Sequence, residues 1–228
     1  MNQILTDIVG TTTPCSFIEV LMNRFKEKGP GFIGAALARA DEEIHDAVEK
    51  TRAENPTREL DYPWQIVAYV AEQLAQKKLN LHYLTLTGRV NLLAYGTEFK
   101  APVFDDVPVA FKRWYDAGKG ISVYSNGIPD EQRFIFGNTD HGDLKGRIRR
   151  YFGTNDFGMK NNPESYKRIS DALGNDPNNI MFLSDSLAEL DAAHAANYGE
   201  VILLDRPGNK PVKEKHNHRV ERSFDNIN

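Results

Sequence analysis

The pattern of apolar and polar positions divides the chain near residue 100. Before that point apolar residues recur at helical spacing. After it, short apolar runs alternate with helical stripes. Gln3 to Thr6 reads as a short buried strand, closed by Asp7 and by the small-residue loop Gly10-Thr11-Thr12-Thr13. From Ser16 to Lys50 the spacing predicts helix. Phe17, Val20, Leu21 and Phe25, then Ile33, Leu37, Ile44 and Val48, carry the stripe. Asn55 to Arg58 reads as a connection, and Tyr62 to Tyr95 as a second helical block with Trp64, Val67, Ala71 and Leu74 at helical intervals. Trp64 and Trp114 are expected to anchor cores.

Beyond Pro102, Val107 to Ala117 reads as a helix closed by Gly118, and Ile121 to Tyr124 as a strand ending at Ser125. Gln132 to Phe136 is expected to be helical, and Leu144 to Tyr151 to bring a turn of basic residues. Pro163 to Leu173 has proline at its start and Gly174 just past its end, the asymmetry of a well-capped helix. Ile180 to Leu183 is a continuous apolar strand ending near Asp185. A helix from Leu187 to Ala196 and a strand from Val201 to Leu204 follow. Strand and helix alternating in this way predict a parallel α/β sheet. The last stretch, rich in Lys, Asn and His, is expected to pack loosely, with His216 and His218 solvated.

Composition narrows the class. The 228 residues are 40% hydrophobic and 26% charged, enough to bury a core without disulfides, and there is one cysteine, Cys15. The formal charge of -4 argues against a nucleic-acid partner, which needs a basic face. Arg147, Arg149 and Arg150 are therefore expected to form a solvated face. Mean hydropathy is -0.51 and no apolar run is long enough for a membrane span. The first residues lack a basic segment followed by a long apolar one, so no secretory signal is expected and the cytoplasm is the expected address.

Three strands are expected to end in polar residues, at Asp7, Ser125 and Asp185. Open parallel sheets bind ligands outside those strand ends. Asp7 and Asp185 could be Asx turns, or carboxylates that hold a hard divalent cation such as Mg²⁺. Ser125 and Asn126 could cap a helix or bind phosphate oxygens. Lys160, before the helix at Pro163, could be a surface lysine or a point charge on phosphate. Glu189 could be a surface charge on its helix or an acid that orients the metal shell.

Taken in order, Asp7-Ile8-Val9-Gly10-Thr11-Thr12, Tyr124-Ser125-Asn126-Gly127, Lys160 and Phe182-Leu183-Ser184-Asp185 resemble the four motifs of the haloacid-dehalogenase-type phosphatases. Phe134-Ile135-Phe136-Gly137-Asn138, His141-Gly142-Asp143-Leu144, Glu164 to Ile169 and Arg206-Pro207-Gly208-Asn209 extend the resemblance to the acireductone-forming enolase-phosphatases of methionine salvage. The resemblance is dense over 100–209 and good over 1–20.

It implies a Rossmann-like α/β core with a parallel sheet, residues 1–15 and 101–228, and an inserted all-helical cap of the C1 type, residues 16–100, that closes over the site. It implies Mg²⁺ as cofactor and a small phosphorylated metabolite as partner, a diketo-methylthiopentyl phosphate, with a monomer expected. Asp7 is then the nucleophile and a metal ligand. The Val9 backbone carbonyl and Asp185 complete the protein's metal contacts. Ser125, Asn126 and Lys160 hold the phosphate, and Lys100 is a candidate substrate contact.

Two positions depart from that pattern. Asn126 stands where the family has a second serine, a mild change, since an amide also hydrogen-bonds phosphate. Val9 stands where these phosphatases carry a carboxylic acid that protonates the leaving group and then activates water. Three outcomes stay open: an enolase-phosphatase with altered turnover, a hydrolase of another phosphate or phosphonate substrate, or a binding homologue without turnover. Phosphonate cleavage would need a cap lysine, for which Lys26, Lys28 and Lys50 are candidates.

Overall fold

The protein is described here from a computed structural model that covers all 228 residues. The chain forms two units, Ile18–Phe99 and the combination of Met1–Phe17 with Lys100–Asn228. The first is helical: α1 (Phe17–Ala38), α2 (Glu42–Ala53), α3 (Pro63–Ala75) and α4 (Leu81–Ala94). Phe25, Ile33, Ile44, Val48, Ile66, Val70, Leu86 and Val90 form its core.

The two long helices expected over 16–50 and 62–95 are each broken into a pair. Ala40 and Lys77 adopt left-handed backbone, with φ of 54° and 59°. Asp41 then caps α2 by accepting the Ile44 N–H at 3.1 Å, and Asn80 caps α4 by accepting the His82 N–H at 2.9 Å. Neither left-handed residue is glycine, so composition could not mark the breaks. Trp64 is 60% exposed rather than a core anchor. It lies in the first turn of α3, whose buried stripe runs through Ile66, Val67, Val70 and Ala71.

The second unit is a six-stranded parallel sheet in the order β3-β2-β1-β4-β5-β6. The strands are β1 (Gln3–Thr6), β2 (Gly120–Ser125), β3 (Arg150–Gly153), β4 (Ile180–Ser184), β5 (Glu200–Leu204) and β6 (Arg219–Glu221). Five helices accompany them: α5 (Asp106–Asp116), α6 (Pro129–Gly137), α7 (Thr154–Phe157), α8 (Pro163–Leu173) and α9 (Leu187–Ala195).

Alternation along the strands builds two cores. Ile4, Met181, Leu183 and Ile202 pack with Val107, Phe111 and Trp114 of α5. Leu5, Phe182 and Leu203 pack with Tyr166 and Ile169 of α8 and Leu190 of α9.

The sheet has two more strands than the sequence pattern shows. The basic stretch around Arg150 becomes edge strand β3, with Arg150 exposed and Tyr151, Phe152 and Gly153 buried. Arg149, exposed as expected, donates its main-chain N–H to the Ile121 carbonyl at 2.7 Å. The C-terminal stretch is not loose. β6 pairs with β5, and Phe224 and Ile227 are fully buried. The Trp114 Nε1–H donates to the Ile227 carbonyl at 2.9 Å, and Arg113 donates to the carbonyls of Phe224 and Ile227. His218 lies 2.7 Å from the Asp191 carboxylate, so it too is tied to the fold. No helix is long and apolar enough to cross a membrane.

Candidate active site

Strand order and register place the polar strand ends together. β1 lies between β2 and β4, and Thr6 is in register with Val123 and with Leu183. Asp7 therefore stands one step beyond the sheet, beside the ends of both neighbours. Sheet order reverses direction between β1 and β4, the place where open α/β sheets form a crevice at their carboxyl ends.

The turn after Asp7 is tight. The N–H groups of Thr11, Thr12 and Thr13 all point at the Ile8 carbonyl, and Gly10 N–H donates to the Thr13 carbonyl at 2.7 Å. Gly10 has φ of 80°, and a Cβ there would lie within 2.3 Å of Asp185 Oδ2, well inside contact distance. The glycine is what lets the Asp185 carboxylate approach this turn.

A distant segment locks the turn from outside. Arg206 Nε donates to the Thr11 carbonyl at 3.0 Å, and Asn209 Nδ2 donates to the Gly10 carbonyl at 2.9 Å. Arg206 is buried between the rings of Phe104 and Phe224, each 4.5 Å away, and pairs with Asp106 at 2.8 Å. Cys15 Sγ donates to Asn209 Oδ1 at 3.0 Å.

Lys160 arrives on the loop after α7. Gly158 has φ of 96°, and a Cβ there would meet Ser165 Oγ at 2.6 Å. Tyr124 Oη donates to the Gly158 carbonyl, Ser165 Oγ to the Met159 carbonyl, and Tyr166 Oη to the Lys160 carbonyl. Held this way, Lys160 is 4% exposed and places Nζ 2.5 Å from Asp7 Oδ1 and 2.7 Å from Glu189 Oε2. Glu189 also accepts the Ser184 hydroxyl at 2.8 Å. It is a half-buried partner of the lysine, not a surface charge on α9.

Three carboxylates, Asp7, Asp185 and Glu189, thus share one ammonium. Burial pushes Asp7 up to about 7; Lys160 pulls it down, while Glu189 and Asp185 push with the burial. Burial and the Glu189 charge likewise raise Asp185 to about 6. Burial opposes the charge on Lys160, but Asp7 and Glu189 outweigh it and hold the ammonium firmly protonated. The cluster is short of positive charge, and two oxygens at hard carboxylates suit a divalent cation such as Mg²⁺. No three His, Cys, Asp or Glu side chains are arranged to hold a metal ion by themselves. Such a cation would be held by Asp7 and Asp185, with main-chain oxygen and water completing its shell.

The other expected residues are placed as follows. Ser125 ends β2 and Asn126 follows it, both half-buried. The Asn126 side-chain oxygen is buried without a partner, and its carbonyl accepts the Thr154 hydroxyl at 3.3 Å. Val9 lies in the turn after Asp7, its side chain half-buried against the core cluster that includes Ile8. Lys100 is exposed and makes no ion pair with the three carboxylates. Lys26, Lys28 and Lys50 are exposed.

A family model described as haloacid dehalogenase-like hydrolase matches residues 1–197. Enolase-phosphatase E1 of Drosophila mojavensis is 34% identical over 93% of this chain and 88% of its own length. A probable bifunctional methylthioribulose-1-phosphate dehydratase/enolase-phosphatase E1 of Arabidopsis thaliana is 32% identical over 98% of this chain, which spans 47% of that protein. Among solved structures, the UTR4 protein of Saccharomyces cerevisiae is 28% identical with a TM-score of 0.75, covering 99% of both chains. The chain belongs to the haloacid dehalogenase-like hydrolase family, in the branch of the enolase-phosphatases.

Proposed function

We propose that this chain is a Mg²⁺-dependent phosphohydrolase of a small phosphomonoester, of the enolase-phosphatase kind. The observation that carries the proposal is the buried Asp7, at the crevice of the sheet, with Lys160 Nζ 2.5 Å from its Oδ1. A carboxylate that is only structural gains nothing from being desolvated beside two others. A nucleophile that must meet a dianionic phosphoryl group does.

Asp7 Oδ1 attacks phosphorus and forms an aspartyl-phosphate, which water then cleaves. Asp7, Asp185 and the Val9 carbonyl would hold the Mg²⁺ ion, which would supply charge neutralisation between carboxylate and phosphate. Lys160 stays charged throughout and stabilises the phosphoryl oxygens as they gain charge. Glu189 positions Lys160. The Asn126 amide can turn its NH₂ toward the spot its oxygen now occupies, and with the Ser125 hydroxyl it offers donors to phosphate. Arg206 and Asn209 keep the turn after Asp7 in shape for this work. By the resemblance of its motifs to the enolase-phosphatases, the substrate is a diketo-methylthiopentyl phosphate and the product, after a proton moves from its C1 to the neighbouring carbonyl oxygen, an acireductone, a step of methionine salvage.

Phosphonate cleavage through a lysine Schiff base finds less support. That chemistry needs an amine deprotonated by burial, whereas Lys28 and Lys50 are exposed and paired with Glu27 and Asp46. The test is Mg²⁺-dependent phosphate release from a panel of small phosphoesters, including the diketo compound, with Asp7→Asn as control. Release that needs both Mg²⁺ and Asp7 supports the proposal. A panel with no turnover, beside retained ligand binding, would favour a binding protein instead.

A further inference from the structure

Resting on the phosphatase reading, the next step concerns which phosphoesters this site can cleave. Attack by Asp7 leaves the departing oxygen with a full negative charge unless a proton meets it. Two residues on, Val9 offers only hydrocarbon, half-buried against the core. Of the donors around Asp7 in this unit, the Thr11 hydroxyl is buried without a partner and, as an alcohol, too weakly acidic to surrender a proton; the others are engaged. Lys160 gives its protons to Asp7 and Glu189. The hydroxyls of Thr12 and Thr13 donate to the Ile8 carbonyl at 3.1 and 3.2 Å. Cys15 Sγ donates to Asn209. Ser125 and Asn126 can give hydrogen bonds but are too weakly acidic to surrender a proton.

We infer that this chain selects phosphomonoesters whose leaving group departs as a stabilised anion, from an aryl oxygen or an enol oxygen conjugated to a carbonyl, and that it is slow on simple alkyl esters. In the first step the Asp7 Oδ1–P bond forms as the bond from phosphorus to the leaving oxygen breaks. The electron pair stays on that oxygen, which takes its proton from solvent after departure. In the second step water bonds to phosphorus, the P–O bond to Asp7 breaks, the pair returns to the carboxylate, and the water's proton goes to the phosphate product. In the diketo compound this activation requires enolisation first, a proton moving from C1 to the C2 oxygen, so that the leaving oxygen becomes an enol oxygen conjugated to the remaining carbonyl.

The experiment compares kcat/KM for p-nitrophenyl, phenyl and propyl phosphate with Mg²⁺, in wild type, Val9→Glu, Val9→Asp, Val9→Thr and Cys15→Ala. Wild type is expected to favour p-nitrophenyl strongly over propyl phosphate. A carboxyl at position 9 should raise kcat/KM for propyl phosphate on the order of 10²-fold or more, with kcat/KM for p-nitrophenyl phosphate, which reports only the first step, changed only a few-fold. Val9→Thr, which keeps the shape without an acid, should give no gain, and the two acid variants guard against one of them misfolding. A similar dependence on leaving group in wild type and in a folded acid variant would overturn the inference. So would selective loss of propyl phosphate turnover in Cys15→Ala, since the thiol would then be the acid. Asp7→Asn separates the two levels. If no ester is cleaved, or cleavage survives Asp7→Asn, the phosphatase reading fails and this inference with it. If cleavage depends on Asp7 but is indifferent to leaving group, the inference alone fails.

Discussion

Replacing Asp7, the proposed nucleophile, should make the metal-free protein more stable, and the gain should depend on pH. In the fold Asp7 keeps its proton up to about 7, against an ordinary value of 3.8. The folded state therefore binds more protons than the unfolded chain between those values, and stability falls as pH rises through that window. Above it, ionised Asp7 costs about 4 kcal/mol relative to the unfolded chain, the free-energy equivalent of that displacement. Asp7→Asn keeps the shape and removes the charge. Urea unfolding in EDTA at pH 5 and pH 8 measures the difference. At pH 8 the variant should be the more stable, by up to ~2 M in midpoint for a slope of ~2 kcal/mol/M. At pH 5, where wild-type Asp7 is already protonated in the fold, most of the gain should vanish. A wild-type midpoint that does not fall from pH 5 to pH 8, or a variant less stable at pH 8, would refute the claim that this carboxylate is electrostatically strained.

Further outcomes follow from the same geometry. Adding Mg²⁺ at pH 8 should raise the wild-type melting temperature and leave Asp7→Asn much less affected, because the cation neutralises the charge the variant lacks; scanning calorimetry reads both. Lys160→Met leaves Asp7 and Glu189 facing each other without their cation, and should destabilise the fold by about 3–5 kcal/mol at pH 8 while lowering kcat on the order of 10²-fold. Arg206→Met strands Asp106 and frees the Thr11 carbonyl, so urea midpoint and kcat should fall together although Arg206 touches no phosphate. Deleting residues 219–228 removes β6, Phe224 and Ile227. Loss of the two buried side chains alone should cost about 3–6 kcal/mol, read as a lower melting temperature and weakened near-ultraviolet signal from Trp114.

The motifs of the site are local, which is why they were legible. A strand that ends in Asp7 and turns through Gly10, or one that runs Phe182-Leu183-Ser184-Asp185, carries its own signature. Residues that act through partners far along the chain are not legible in that way. Glu189 read equally well as a surface charge until β4, α9 and the Lys160 loop brought it within 2.7 Å of the lysine. Arg206 and Asn209 were visible only as part of a resemblance, because their partners Thr11 and Gly10 lie almost the whole chain away. Lys100, a candidate by position, is exposed and forms no ion pair with the three carboxylates. Trp64 shows the same limit in a helix, since spacing assigns a face but not where the core beside it begins.

By itself the sequence determined the parallel α/β class, the helical stretch before residue 100, the order of the four motifs and an apolar side chain at Val9. These follow from residue identity and short-range periodicity, which the unfolded chain already contains. Only the tertiary structure decided that three carboxylates would share one lysine, that the C-terminal segment would close the sheet as β6, and that the two long helical blocks would each break. Those outcomes depend on desolvation and on contacts between distant segments. The charge imbalance around Asp7, from which its high proton affinity and its call for a divalent cation both arise, exists only once burial has removed the water that would otherwise screen it.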